Sequence, residues 1–349
     1  MMNAAAGPVL EEPLAQVVRA LVEGAHLAQR IRRERTDPLA KRDGTPITLA
    51  DLAVQVVVTR ALEEAFPGDA VMAEEDAAIL HTAAGRALME PLLRLLDAGM
   101  RGVTSEEITR LLGRSTRDVG SRAWLLDPLD GTAGFLRADG HYAVALALVE
   151  RGIPTIGILA CPTLDVEAFY PDQIPNSEPP QGVLLLAGEE RGAWVSALDS
   201  SEFRPLRVSA VTRLTEARVL GSAVASHVDP QAMRAFLDAA GLQGRVQAVD
   251  GQAKHALIAQ GHAELFVRIP ADASYREHVW DHAAGALILC EAGGRITDVH
   301  GHPLEFGTGT RLIRNEGIVV SNGALHDEVL DVLRVTHSKV ARTGPPFWQ

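Results

Sequence analysis

Asp127 and Asp130 stand three residues apart in the stretch Asp127-Pro128-Leu129-Asp130-Gly131-Thr132. An apolar run, Ala123-Trp124-Leu125-Leu126, precedes it and reads as a buried strand. The two acids and the glycine turn therefore fall at the carboxyl end of a strand, where α/β proteins commonly build their sites. Two carboxylates with a backbone carbonyl between them suit a hard, oxygen-seeking cation such as Mg²⁺. Gly131 and Thr132 offer unblocked amides to an anion, in the manner of a nest or a helix start. Cation ligands beside an anion cradle are the parts of a site for phosphate chemistry.

Three further acidic signals border apolar segments: Asp51, Glu74-Glu75 and Asp281. Plain structural alternatives exist. Asp281, in Trp280-Asp281-His282-Ala283-Ala284-Gly285, reads as a helix N-cap, and Glu74-Glu75-Asp76 as a solvated acidic turn. Their common place beside apolar segments, rather than on a polar face, argues for a shared role. His278 and His282, four apart, invite a zinc reading. The residues between them do not make the HExxH sequence, so one exposed and one packed histidine is the expectation. The sequence has neither a GxSxG elbow nor a GxxxxGK[ST] loop.

The elements that must position these groups follow from periodicity. Leu14, Val17, Val18, Leu21, Ala25 and Leu27 recur at helical spacing and predict a helix from Leu10 to about Arg33. A charged loop follows from Thr36 to Thr45. Thr48 caps a second helix, Leu49 to Phe66, closed by Pro67-Gly68, with Asp51 in its first turn. Ala70-Val71-Met72 is a short strand that stops at Glu74-Glu75-Asp76. Residues 80–120 read as helical with Gly and Ser breaks, more an inserted flap than core. Tyr142–Val149, Pro154–Cys161 and Val166–Tyr170 read as antiparallel strands, and Pro171 to Gln181 as a surface loop. From Arg207 onward, strand-like runs (Arg218–Gly221, Val246–Val249, Glu264–Ile269, Gly317–Val320) alternate with helix-like ones (Pro230–Ala240, Gln252–Gln260, Asp281–Glu291, Leu325–Val335), an α/β pattern. A boundary near Phe203 divides an α+β half, residues 1–203, from an α/β half, residues 204–349, that carries Asp281.

The 349 residues, 47% of them hydrophobic, suffice for two domains or one large layered unit. The balance of 33 Lys+Arg against 45 Asp+Glu leaves a formal charge of −12. Such a charge repels nucleic-acid polymers, whereas a small anion can still bind where metals and a few local cations reverse the sign. Cys161 and Cys290 make no CxxC pair and are expected to be buried free thiols. The first residues lack a basic segment followed by an apolar core, and no run reaches the roughly 18 apolar residues of a membrane helix. A soluble cytoplasmic protein is the expectation.

Three blocks carry a resemblance: Ala73-Glu74-Glu75-Asp76, the DPLDGT run with Ala133-Gly134-Phe135 after it, and WDHAAG continuing into Ala292-Gly293-Gly294. In that order they resemble the lithium-sensitive, metal-dependent phosphatase superfamily that includes inositol monophosphatase. Thr48-Leu49-Ala50-Asp51, Phe135-Leu136-Arg137, Ser226-His227, Asp250-Gly251-Gln252-Ala253-Lys254, Ser274-Tyr275 and Leu304-Glu305-Phe306-Gly307 resemble one branch, the 3′(2′),5′-bisphosphate nucleotidases. The likeness spans roughly residues 40 to 330. It implies a layered α-β-α-β-α sandwich with an α+β first half and an α/β second half. It implies that Glu74, Asp127 and the Leu129 carbonyl hold one Mg²⁺, that Asp127, Asp130 and Asp281 hold a second, and that a third leans on Glu74 through waters. Asp51 and Thr132 would orient the attacking water and help take its proton, and the Gly131 and Thr132 amides would hold phosphate oxygens.

Substrate choice would fall to the second half. Lys254 and Arg268 are candidate cations for a remaining phosphate or sugar; a snorkelling helix lysine and a surface ion pair are their alternatives. Ser226 and His227 are candidates to contact base or ribose, and His227 could equally be a satisfied structural residue. Tyr275 packs near the nucleotide or is core. Two positions depart from the branch, which often has Lys and Ser where this chain has Ala133 and Gly251; the departures touch substrate contacts and not the metal ligands. The implied activity is removal of the 3′-phosphate of 3′-phosphoadenosine 5′-phosphate, inhibited by Li⁺. Alternatives are an inositol phosphate substrate, either the 1,4-bisphosphate or a monophosphate, and a non-catalytic nucleotide sensor; Asp51 and Thr132 count against a pure binder. The expected partner is a small-molecule phosphate, with no nucleic-acid polymer and no membrane. The oligomeric state stays open, with a monomer the simpler expectation.

Overall fold

The computed structural model describes residues 7–8, 10–34, 38–40, 46–137, 140–164, 181–222 and 228–343. The chain opens with α1 (Glu12–Glu34), a two-stranded ribbon of β1 (Leu39–Ala40) and β2 (Pro46–Ile47), and α2 (Leu49–Ala65). It continues through β3 (Ala70–Ala73), α3 (Ala83–Leu96), α4 (Ser105–Leu112), β4 (Arg122–Asp130), the short α5 (Thr132–Leu136), β5 (Ala143–Glu150), β6 (Ile153–Cys161), β7 (Val183–Gly188), β8 (Gly192–Ala197) and β9 (Arg204–Pro205). The remainder is β10 (Val219–Gly221), α6 (Pro230–Ala240), β11 (Val246–Ala248), α7 (Ala253–Ala259), β12 (Leu265–Arg268), α8 (Ala283–Glu291), β13 (Arg295–Thr297), β14 (Ile318–Ser321) and α9 (His326–Thr343).

A seven-stranded sheet runs in sequence order from β3 to β9. β3 is parallel to β4 and every later pair is antiparallel. A five-stranded sheet has the order β11-β10-β12-β14-β13, with β10 parallel to both its neighbours. Strand side chains alternate between faces, and here both faces of the large sheet are buried. Trp124, Leu126, Val144, Leu146 and Leu148 join a core with α1 and α2. Ala123, Leu125, Ala143, Ala145, Ala147 and Val149 join a second core with α7, α8 and the inner face of the small sheet. Phe236, Val329 and Leu333, from α6 and α9, cover the outer face of the small sheet. The layers are therefore α1/α2, large sheet, α7/α8, small sheet, α6/α9, the α-β-α-β-α sandwich expected.

The middle helix layer explains its own sequence. Residues 283–289 of α8 are all buried, as a helix caught between two sheets must be apolar all round. The facing strands carry small residues so that the helix can approach. On β6, a Cβ added to Gly157 would stand 2.8 Å from the Ala284 carbonyl oxygen.

Several expectations need correction. Residues 80–120 are not a flap: Leu92, Leu96, Ile108, Leu111 and Leu112 are buried in the core, because α3 and α4 pack on α2. Leu39 and Ala40, assigned to a loop, pair with Ile47 and Pro46. Asp281 does not cap α8, since the helix starts one residue later and His282 occupies the cap position. Cys161 is buried as expected, whereas Cys290, in the last turn of α8, is exposed. The expected strand Val166–Tyr170 and nearly all of the 171–181 loop lie outside the described residues.

Replacing Gly157 by Val should force α8 off the large sheet and cost about 1–3 kcal/mol, read as a lower urea midpoint. An unchanged midpoint would show that the sheet does not need this close approach.

Candidate active site

Residues three apart on a regular strand face opposite ways, yet Asp127 and Asp130 line the same cavity of about 270 Å³. The cause is an irregularity in the pairing of β4 with β5. Asp127 lies opposite Ala145 and Asp130 opposite Ala143, so three steps on β4 match two on β5. One extra residue re-aims the strand end, and it falls at Pro128-Leu129, where proline has no N–H for the ladder. Gly131 then turns the chain at φ 91° into α5. The first amides of any helix lack an intrahelical acceptor, and Gly131, Thr132 and Ala133 line the cavity.

The neighbouring strand brings Glu74. The Glu74 amide donates to the Leu126 carbonyl at 3.1 Å, extending the β3–β4 pairing to the edge of the cavity. Gln55 of α2 fixes the next residue from both sides, donating to the Glu75 carbonyl at 2.8 Å and accepting from its amide at 3.0 Å. Glu75 is buried, so this turn is not the solvated acidic turn considered above. Asp51 is also buried. Its Oδ2 accepts from the amide and hydroxyl of Thr48 in a capping box. Its Oδ1 lies 3.4 Å from Thr132 Oγ1, which also stands 3.1 Å from the Leu129 carbonyl oxygen.

The second half supplies the rest of the lining. Asp130 Oδ2 accepts from the Gln252 amide at 2.6 Å. The Gln252 side chain then donates to the Trp280 carbonyl at 3.0 Å and accepts from the Gly285 amide at 2.9 Å. Gln252 thus ties the end of β4 to the segment carrying Asp281. Gly251 sits at φ +58°, and a Cβ there would meet the Asp130 carbonyl oxygen at 2.5 Å. The glycine that replaces the branch's serine is therefore demanded locally by this close approach. Lys254 is buried, with its Nζ donating to the Val249 carbonyl at 3.1 Å. Arg268 bonds Glu277 at 2.7 Å and Ser222 at 3.0 Å. Neither is a surface group, and both line the cavity.

The electrostatics are those of crowded like charges. Burial, then the charges of Glu74, Asp130 and Asp281, push the Asp127 carboxyl well above the ordinary range. Burial, then Asp130, Glu277 and Glu74, do the same to Asp281. Burial also raises Asp130, opposed by Lys254 and by the Gln252 amide. Burial and the Arg268 charge push Lys254 down to about 8. Burial would raise Glu277, but Arg268 and His282 hold it below the usual carboxylate range.

Oxygen donors of one sign, desolvated together, fit a hard divalent cation. Among the described residues no three or more His, Cys, Asp or Glu side chains form a group placed to hold a metal ion as they stand; Glu74, Asp127, Asp130 and Asp281 line one cavity.

The structure thus brings Glu74, Asp127, Leu129, Asp130, Gly131, Thr132, Lys254, Arg268 and Asp281 to one cavity, with Asp51 behind Thr132. Ser226 and His227 lie outside the described residues. Tyr275 lines a different cleft. His278 stacks on Trp280 at 4.5 Å, while His282 faces His255 at 5.5 Å, so the two make no zinc pair.

Three supporting residues had no assigned role in the sequence reading: Gln252, Glu277 and Arg32. From the last turn of α1, Arg32 donates to the carbonyls of Gly140 at 2.9 Å, Gly134 and Arg137, bracing the far end of α5. Gln252 and Glu277 stand in polar stretches, Asp250-Gly251-Gln252-Ala253-Lys254 and Tyr275-Arg276-Glu277-His278, that show no burial signal. Arg32 gave none either.

A model of the inositol monophosphatase family matches residues 10–338. This chain belongs to the inositol monophosphatase family. It is 32% identical over 333 residues to a 3′(2′),5′-bisphosphate nucleotidase of Emericella nidulans, covering 88% of this chain and 93% of the relative. It is 31% identical over 347 residues to one from Oryza sativa, covering 95% and 96%. The solved IMPase of Thermotoga maritima superposes with a TM-score of 0.62 at 22% identity, covering 95% of this chain and 100% of that one, a likeness of fold. The family is one of metal-dependent phosphatases.

Two predictions follow from the electrostatics and from the Arg268 anchor. Asp127 and Asp281 ionise less readily folded than unfolded. With EDTA present, the stability these two groups contribute is full below the unfolded carboxyl pKa of about 3.9 and is lost as pH rises towards the folded values. Mg²⁺ should reverse the loss at neutral pH, and Asp127→Asn should gain stability over the wild type as pH rises. Unfolding midpoints of the two that run parallel across pH, with no Mg²⁺ effect, would refute this. In Glu277→Gln, Arg268 loses its anchor, so KM should rise about tenfold with a smaller change in kcat; an equal fall in kcat and kcat/KM would place Glu277 in the chemical step.

Proposed function

We propose that this chain is a Mg²⁺-dependent phosphomonoesterase that removes the 3′-phosphate of 3′-phosphoadenosine 5′-phosphate, giving AMP and phosphate. The carrying observation is one cavity lined both by carboxylates, Glu74, Asp127, Asp130 and Asp281, and by two cations, Lys254 and Arg268. The carboxylates suit a phosphoryl group reached through divalent cations. The two cations suit a second anionic group on the same molecule, which a bisphosphate supplies and a monophosphate lacks. The nucleotidases to which the chain is similar support the nucleotide over inositol.

Glu74, Asp127, the Leu129 carbonyl, Asp130 and Asp281 would hold two to three Mg²⁺ ions. When bound, these ions acidify water and offset the charge of the phosphoryl and leaving oxygens. The chain's own groups do the rest. Thr132 Oγ1 accepts from the attacking water, and the Thr132–Asp51 pair takes its proton as the new P–O bond forms. The P–O3′ bond breaks and the ribose oxygen gains a proton from solvent. The Gly131 and Thr132 amides hold phosphoryl oxygens as charge develops. Lys254 and Arg268 fix the 5′-phosphate, and Ser226 and His227 are assigned to the base or ribose. Tyr275 is left without a substrate contact. The residues divide as 1–203 and 204–349, with Asp281 and the specificity groups in the second part. A cytoplasmic location belongs to this proposal, and the oligomeric state stays open. Among the described residues no helix is long and apolar enough to cross a membrane.

Phosphate release should be fastest from the adenosine bisphosphate, slower from inositol 1,4-bisphosphate and slowest from inositol monophosphate, and Li⁺ should inhibit it. Asp127→Ala should nearly abolish turnover while the chain stays folded, and Asp51→Asn should lower kcat about 10²–10⁴-fold. Preference for an inositol phosphate would move the assignment within the family. Binding of the bisphosphate without release in Mg²⁺ would make the protein a sensor.

A further inference from the structure

We propose that the cleft between segment 271–276 and Arg311–Ile313 is a second binding site, made for a small tetrahedral oxyanion of the phosphate or sulfate kind. Its volume is about 500 Å³, and it shares no lining residue with the carboxylate cavity. Two guanidinium groups, Arg276 and Arg311, line it, and both residues are half-buried. Neither of these is paired with a carboxylate among the described residues, in a chain whose acids outnumber its Lys and Arg by 45 to 33.

Both arginines are instead held by backbone. Arg276 Nη1 donates to the carbonyls of Ala273 at 2.6 Å and Tyr275 at 2.8 Å, and its Nε reaches the Ile313 carbonyl at 3.4 Å. Arg311 Nη1 donates to the Arg276 carbonyl at 2.6 Å. These bonds fix the positions of the charges and leave Arg276 Nη2 and Arg311 Nε and Nη2 without an acceptor among the described residues. Carbonyl-anchored forks with spare N–H groups are pre-set for an oxyanion with several acceptor oxygens.

The one carboxylate on the rim, Asp272, makes no ion pair with either arginine: its Oδ1 accepts from the Ser274 amide and hydroxyl, each at 2.7 Å, and these bonds, with the Arg276 charge behind them, hold it below the ordinary carboxylate range. Tyr275 and the exposed Ile313 give the cleft an apolar side, so a phosphate or sulfate carried on a small organic group fits as well as the free ion.

The test uses the full-length protein, inorganic phosphate as probe and excess EDTA, which removes the cations that would draw phosphate to the carboxylate cavity. Calorimetric titration should show saturable binding in the wild type and in Arg268→Gln. Binding should be at least tenfold weaker in Arg276→Gln/Arg311→Gln. Glutamine keeps a donor for the backbone carbonyls, and matched unfolding midpoints check the fold. If the double variant is destabilised, the two single variants carry the test, each expected to weaken binding, with Arg311→Lys intermediate. Unchanged binding in the arginine variants, loss of binding in Arg268→Gln instead, or no saturation in the wild type would overturn the proposal. A chain without phosphatase activity would leave it standing, because no step of the test depends on turnover.

Discussion

Like-charged carboxylates held out of water in one cavity are the constraint on which the rest of the molecule depends. Asp127 is only 2% exposed, and the charges of Glu74, Asp130 and Asp281 all oppose its ionisation. Uncompensated burial of charge works against folding, so the surrounding layers must hold these groups in place against their own repulsion. The nearby cations offset them only in part: Lys254, which donates to a backbone carbonyl, opposes the rise of Asp130, and Arg268, which is paired with Glu277, opposes that of Asp281. Local violation of the ordinary rules of burial, inside a fold that obeys them elsewhere, is what a functional site is expected to look like.

The carboxylates come from both sheets, and the backbone devices that join them are few. The irregularity at Pro128-Leu129 turns two acids of one strand toward the same side. Gly131 and Gly251 adopt positive φ and let the β4 end and the start of α7 approach to backbone contact. Gln252 then spans from Asp130 to both sides of Asp281 through Trp280 and Gly285. None of these residues needs to touch substrate to matter. Each fixes a carboxylate whose neighbours are pushing it away.

Much of this was legible in sequence, and the reasons are specific. Asp127, Asp130, Glu74 and Asp281 announced themselves because each borders an apolar run, where an acid has no business as a surface group. The layered fold followed from the alternation of elements and from the resemblance to a known family. The misreadings have equally local causes. The 80–120 segment shows Gly and Ser breaks and polar edges, yet its apolar residues Leu92, Ile108 and Leu111 are buried against α2; periodicity describes a helix, not the partner that covers it. Asp281 looked like a cap because Asp caps helices, but a cap and a ligand one residue before the cap differ only in backbone geometry. Arg32 lies about a hundred residues from the carbonyls it braces, and no local pattern encodes such a contact.

The acidic and basic groups of the cavity are also coupled through Lys254. Burial and Arg268 pull its ammonium down to about 8, while Asp130, Asp250 and Glu277 hold it up. An anionic group arriving beside Lys254 favours the ammonium further. A divalent cation held by Asp130 would add its own positive charge to the same cavity, so that cation and anion would favour each other's binding. A molecule carrying one phosphate for the carboxylate-held cations and another for Lys254 and Arg268 engages both sets of groups at once, and a monophosphate engages only one.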